Sequence, residues 1–156
     1  MSTPELNKPA PAFDLPATGE RNISLSSLKG SKVVLYFYPR DATPGCTTES
    51  QNFRDAIDAF TAAGAVILGV SQDNIKSHEK FKAKHEMPFD LLSDSEDRMC
   101  RDYAVIKLKK MYGKEFEGIE RSTFLIDEKG VLRQEWRKVK VPGHVDEVLA
   151  AVQALD

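Results

Sequence analysis

The chain is poor in cysteine. Cys46 and Cys100 are the only two among 156 residues, with no Cys-x-x-Cys pair and no matching histidine spacing, which excludes a disulfide-stapled scaffold and a zinc site. Long hydrophobic runs are missing as well. The longest apolar-plus-glycine stretch, Ala62 to Val70, is nine residues, about half of what a bilayer span needs. Nor is there an excess of one charge: 22 Lys and Arg face 24 Asp and Glu, for a net charge of −2. No overall field therefore draws the chain to nucleic acid or to an anionic membrane, and neither is an expected partner. The sequence does not open with a basic segment followed by an apolar one, so no secretory signal is expected and the expected location is cytoplasmic. What is present is ordinary, with 41% hydrophobic and 29% charged residues, the composition of a globular domain able to bury its own core. A single domain over 1–156 is expected.

Residues 1–22 hold Pro4, Pro9, Pro11 and Pro16 and read as an extended N-terminal arm. The run Val33–Tyr38 is continuously apolar and stops at Pro39, the pattern of a strand buried on both faces. After Thr43-Pro44, Phe53, Ile57 and Phe60 recur at helical spacing, predicting one helix of about five turns that ends at Ala62-Ala63-Gly64. A second buried strand, Ala65–Val70, follows, and this order implies a right-handed parallel crossover. Residues 74–85 predict a charged helix, Asp90–Ser93 a short strand, and Ser95–Ala104 a helix capped by Asp94 or Ser95. The basic run Lys107–Lys114 lacks aromatic interleaving and reads as a solvated loop. Thr123–Ile126, the turn 127–130 and Val131–Trp136 predict a hairpin, and Gly143–Leu155 a closing amphipathic helix. The fold class is α/β, a central mixed β-sheet flanked by helices.

Chemistry concentrates at Tyr38-Pro-Arg-Asp-Ala-Thr43-Pro44-Gly45-Cys46-Thr-Thr-Glu49. With Thr43 as N-cap and Pro44 as the first helical residue, Cys46 falls in the first turn. There its sulfur faces unpaired backbone N–H groups and the positive end of the helix dipole, both of which favour the thiolate. A thiol at the reference pKa of about 8.5 is roughly 3% ionised at pH 7, so full ionisation gains at most about 30-fold. Further rate needs donors aimed at charge developing on a substrate: the Thr43 hydroxyl, backbone N–H groups, and a cation from elsewhere, best an arginine. An arbitrary cysteine would be a small residue at a helix start. The capping Thr43 and the Pro44-Gly45 pair favour a reactive one. Glu49, one turn on, either holds an arginine or favours the helix N-terminus. His78, His85 and His144 share no metal spacing and read as surface or capping residues.

The string Pro39-x-x-x-Thr43-x-x-Cys46, with Gly118-Ile-Glu-Arg121-Ser-Thr-Phe-Leu-Ile-Asp127 downstream, resembles the peroxiredoxins, and more narrowly the peroxiredoxin Q or bacterioferritin-comigratory type. The similarity extends over Gly69-Val-Ser71-Gln-Asp73, Leu92-Ser-Asp94 and Trp136-Arg-Lys-Val-Lys-Val-Pro-Gly-His144. The resemblance implies a thioredoxin-like fold and a thiol peroxidase that reduces hydrogen peroxide and organic hydroperoxides without metal or organic cofactor. Cys46 would be the peroxidatic nucleophile, passing through a sulfenic acid. Thr43 would hydrogen-bond thiolate or peroxide, Pro39 would shield the pocket, and Arg121 would supply the cation; by spacing alone Arg121 is a solvated strand-edge charge. A monomer or weak dimer recycled by thioredoxin, glutaredoxin or a low-molecular-weight thiol is expected.

The pattern departs from better-known members at the resolving cysteine. The position five residues after Cys46 is Gln51, and the next helix reads Lys80-Phe-Lys-Ala-Lys84. Cys100 remains as a candidate resolving thiol, although its neighbours Met99, Tyr103 and Ala104 suggest a buried core residue. Two other readings are a thioredoxin-like disulfide exchange protein, which normally needs two nearby thiols, and a redox-sensing or chaperone-like module that uses Cys46 only as a switch.

Overall fold

In the computed structural model, which describes residues 4–155, the chain runs through β1 (Asp14–Ala17), β2 (Arg21–Ser24), β3 (Lys32–Phe37), α1 (Pro44–Asp55), α2 (Ile57–Ala62), β4 (Ala65–Ser71) and α3 (Ile75–Lys84). It continues through β5 (Asp90–Ser93), α4 (Arg98–Asp102), β6 (Ile106–Met111), β7 (Lys114–Ile119), β8 (Ser122–Ile126), β9 (Leu132–Trp136) and α5 (His144–Ala154). Seven strands form one sheet in the order β2-β1-β5-β4-β3-β8-β9, and β6 pairs with β7 separately. β3, β4 and β5 are parallel, while β8 is antiparallel to β3, so the sheet is mixed as its sequence pattern predicts.

β3 is buried along its whole length, and alternation along the strand divides the interior in two. Val33, Leu35 and Phe37 join Phe13, Met99, Cys100, Tyr103 and Phe124 on one face. Val34, Tyr36 and Tyr38 join Cys46, Phe53, Phe60, Phe81 and Val148 on the other. Helices α1, α2, α3 and α5 cover this second face. Tyr36 stacks on Phe53 at a centroid distance of 4.7 Å and shares a 2.8 Å hydrogen bond with Ser50, which ties α1 to the strand that precedes it.

The structure corrects four expectations. The five-turn helix breaks at Ala56, whose N–H turns back to the Phe53 carbonyl at 3.2 Å, and both Phe53 and Phe60 are fully buried across the break. The helix expected over 95–104 shrinks to α4, because Asp97 adopts a left-handed φ of 62°; Asp94 reaches past it to accept the N–H groups of Met99 (3.2 Å) and Cys100 (2.7 Å). The second half of the expected arm folds into the β1–β2 hairpin at the sheet edge, whereas its first three residues lie outside the described residues. The run 107–114 is a β-hairpin, not a loop: Tyr112 (φ 54°) and Gly113 (φ 77°) make its two-residue turn, and Ile106 faces buried Ile119 at its base.

Close packing behind the site requires Gly69. A Cβ there would lie 2.7 Å from Leu91 Cδ2 and 2.8 Å from the Tyr36 ring, with no backbone freedom to retreat inside a parallel sheet. Gly69→Ala should lower stability in urea unfolding by about 1–3 kcal/mol, the usual cost of overpacking a core; an unchanged midpoint would show that the ring can step aside.

Candidate active site

α1 starts directly beyond the C-terminal end of β3, and the loop 38–43 between them carries the site. Thr43 sits at the N-cap position, with extended backbone (φ −86°, ψ 153°), and its carbonyl accepts the Thr47 N–H at 2.9 Å. Its hydroxyl does not cap the helix. It donates instead to the Arg40 carbonyl at 2.9 Å, which leaves only its lone pairs to offer to a ligand. Cys46 lies in the first helical turn, 1% exposed. Pro39 is half-buried at the start of the loop, and Arg40 is exposed.

The cation comes from the antiparallel neighbour of β3. Ser122 pairs with Phe37, the last residue of β3, so Arg121 is delivered to the point where the chain leaves the sheet toward α1. Its Nη2 donates to Cys46 Sγ at 3.3 Å and its Nη1 to Glu49 Oε1 at 2.7 Å. Gly45 makes room for it, since a Cβ there would sit 3.2 Å from Nη2. The arginine that Cys46 alone called for is thus brought to the sulfur, and its side chain is 16% exposed, not a solvated strand-edge charge. Burial beside Glu49 and Cys46 holds the guanidinium firmly charged: desolvation opposes the charge, and the two neighbours outweigh it.

Glu49 has no exposure, and its Oε2 finds no hydrogen-bond partner among the described residues. Burial pushes its pKa up from the ordinary 4.5 to about 7, against the pull of Arg121. Of the two roles open from the sequence, the first has a contact to match it, the Arg121 hydrogen bond, and the second stays open because Glu49 lies near the start of α1.

Cys100 is brought nowhere near this constellation. It is fully buried in the core on the opposite face of the sheet from Cys46, where burial first and the Asp94 carboxylate second push its thiol far above the ordinary range. Gln51 Nε2 lies 3.2 Å from His85 Nδ1, and Lys82 Nζ donates to Asp90 at 2.7 Å. Two of the three histidines are not surface residues. His78 is fully buried, and His144 is packed between Phe53 and Trp136 with Nε2 at 2.7 Å from Thr123 Oγ1 and its pKa lowered by burial to about 4. The sequence reading used Gly45 as a neighbour of Cys46 without foreseeing the room it leaves for Arg121, and it did not single out Asp41, whose buried carboxylate accepts from Tyr38 and Ser77.

The model of the AhpC/TSA family matches residues 6–135. The chain belongs to that family, as a peroxiredoxin of the Bcp type. It is 51% identical over 151 residues to peroxiredoxin Bcp of Bacillus subtilis, covering 97% of this chain and 96% of that protein. It is likewise 51% identical over 156 residues to peroxiredoxin Bcp of Xanthomonas campestris, covering 99% and 98%. Among solved structures it resembles Xanthomonas campestris peroxiredoxin Q (TM-score 0.87, 51% identity, 91% of this chain and 90% of that one). A cysteine mutant of Xylella fastidiosa PrxQ superposes with a TM-score of 0.93 at 40% identity over 99% and 98% of the two chains. A further structure concerns the alkyl peroxide reduction activity of the Xanthomonas campestris bacterioferritin comigratory protein, at 50% identity and a TM-score of 0.87. The fold is thioredoxin-like, and the peroxiredoxin is a thiol peroxidase.

Glu49 gives the peroxiredoxin a pH signature of known sign. Because its folded-state pKa lies above the unfolded one, folding favours the protonated acid; that contribution is intact below pH 4.5 and is lost as the pH rises through about 7. In thermal melts across this window the wild type should lose a few kcal/mol relative to Glu49→Gln, which cannot ionise. Parallel profiles would show that Arg121 fully offsets the burial.

Proposed function

We propose that Cys46 is the peroxidatic nucleophile, assisted by Arg121, Thr43 and Pro39, with Glu49 holding Arg121 in place. The observation that carries this reading is the guanidinium shared between Cys46 Sγ and Glu49. The Cys46 thiolate attacks one oxygen of a hydroperoxide: an S–O bond forms, the O–O bond breaks, and the leaving oxygen takes up a proton as water or alcohol. Cys46 is oxidised by two electrons to the sulfenic acid, and the peroxide is reduced. Arg121 favours the thiolate and then meets negative charge developing along the O–O axis. Thr43, its proton committed to Arg40, accepts a hydrogen bond from the peroxide O–H and orients it. Pro39, at the mouth of the loop, limits water.

Hydrogen peroxide and organic hydroperoxides are the substrates in this reading, consistent with the alkyl peroxide reduction described for the Xanthomonas protein. The sulfenic acid is resolved by an external thiol, from thioredoxin, glutaredoxin or a small thiol: the new S–S bond releases water, and a second thiol completes the reduction. Support comes from Cys100, buried across the sheet, and from Gln51 and Lys82, which occupy the usual resolving positions. The same separation of the two thiols disfavours disulfide exchange. The protein acts as a single domain over 1–156, a monomer or weak dimer in the cytoplasm.

Stopped-flow peroxide consumption tests the assignment. Cys46→Ser should abolish turnover, and residual activity above about a tenth of wild type would refute it. Cys100→Ser should keep most of its turnover with a small dithiol and lose at most about 1–2 kcal/mol of stability; an abundant Cys46–Cys100 peptide in non-reducing maps would overturn external resolution.

Arg121→Ala should lower the peroxide rate by roughly 10²–10³-fold, the loss typical of one oxyanion donor. Lys should rescue poorly, since a point charge cannot bridge Cys46 and Glu49 as a planar fork does. An unchanged rate would return Arg121 to a structural role.

A further inference from the structure

One buried network outside the reacting atoms is more elaborate than loop closure requires. Asp41, in the loop between β3 and α1, accepts from Tyr38 Oη at 2.6 Å through Oδ1, and from Ser77 Oγ at 2.8 Å through Oδ2. His78 Nδ1 lies 2.7 Å from the same Oδ2, and His78 Nε2 lies 2.8 Å from the Leu92 carbonyl. Each ring nitrogen therefore faces an acceptor, and both contacts are satisfied as hydrogen bonds only when each nitrogen carries a proton. Asp73 completes the set: its Oδ2 accepts the Asp41 N–H at 2.8 Å and the Ser71 hydroxyl at 2.7 Å. The ligand atoms of Asp41, Asp73 and His78 lie within 4.8 Å of one another, but they are already committed to these donors and acceptors. Burial works against the Asp41 charge, and His78, Tyr38 and Ser77 more than offset it, holding the carboxyl below its ordinary range.

The network ends on a catalytic group. The peptide joining Arg40 to Asp41 is held at both ends, its N–H by Asp73 and its carbonyl by the Thr43 hydroxyl. The next residue, Ala42, adopts a left-handed φ of 63°, a strained conformation for an alanine that needs support from its surroundings. We propose that His78 is a positioning residue for peroxide reduction: from α3 it fixes Asp41 and, through the Arg40–Asp41 peptide, the hydroxyl of Thr43. This rests on the role assigned to Thr43 above. The thiolate has separate support, from Arg121 and the helix start, so loss of His78 should misorient the peroxide without changing the sulfur.

Two reactions of the full-length protein separate these effects. Reduction of hydrogen peroxide needs Thr43 in place, whereas alkylation by iodoacetamide needs only the thiolate. His78→Phe should slow the peroxide reaction about 10-fold or more while alkylation stays within about twofold. In a Thr43→Val background, the same substitution should have no further effect. His78→Asn places an amide N–H near the position of Nδ1 and should recover much of the rate; His78→Gln places its amide nearer Nε2 and should not. If His78→Phe fails to fold, the Asn-against-Gln pair, each keeping one donor, carries the same decision. The proposal is overturned if His78→Phe leaves the peroxide-to-alkylation ratio unchanged, if both reactions fall together, or if Asn does no better than Gln. A Thr43→Val protein with an unchanged ratio overturns the Thr43 assignment along with it; a wild-type-like His78→Phe beside a slowed Thr43→Val overturns the His78 proposal alone.

Discussion

The guanidinium of Arg121 lies between two buried acidic groups, the Cys46 thiol and the Glu49 carboxyl, and no single element of the chain could assemble that trio. A cation in such a place must be satisfied on every side, because an unpaired buried charge is among the most destabilising features a protein can carry. The surrounding architecture supplies what it needs. The register of β8 against β3 sets its height, the absent side chain of Gly45 sets its approach, and Glu49, one helical turn beyond Cys46, receives its second donor. The Oε2 of Glu49, without a hydrogen-bond partner among the described residues, marks where satisfaction is incomplete, and burial pushes this carboxyl up to about 7.

The central sheet also separates the two thiols. Two cysteines of the same chemistry lie on opposite sides of β3, and their surroundings differ in sign. Cys46 meets a helix N-terminus and a guanidinium. Cys100 meets the Asp94 carboxylate in an apolar core, where ionisation is opposed twice. The surroundings of each sulfur are therefore a property of the face on which it is placed.

The loop from Tyr38 to Thr43 is the third component. It turns the chain from sheet to helix through a left-handed Ala42, and its geometry is maintained by its own Tyr38 and by side chains of β4 and α3 that converge on Asp41 and Asp73. Such a support holds the donors of a short loop in one arrangement, as preorganised sites require.

Composition and local patterning determined β3, β4, β5, β8 and β9 of the central sheet but not its β1–β2 edge, together with the start of α1 and the position of Cys46 within it, because buried apolar runs and the chemistry of Thr43-Pro44 are encoded over a few consecutive residues. The Pro39 to Cys46 string and the segment around Arg121 together made the family legible. Local signals overextended the helix ending at Gly64 and the one expected before Ala104, where the break at Ala56 and the later start after left-handed Asp97 come with neither proline nor glycine to announce them. They also hid the β6–β7 hairpin, whose lysine-rich strands read as loop because, among the described residues, they bury no continuous apolar face: Leu108 and Phe116 are exposed, and only Ile119 at the base is buried. Only the tertiary structure decided the direction of the Thr43 hydroxyl, the pairing of Arg121 with both Cys46 and Glu49, the burial of His78, and the separation of the two thiols. Each of these depends on strand order and register, which are set by packing summed over the whole core and leave no mark at any single position.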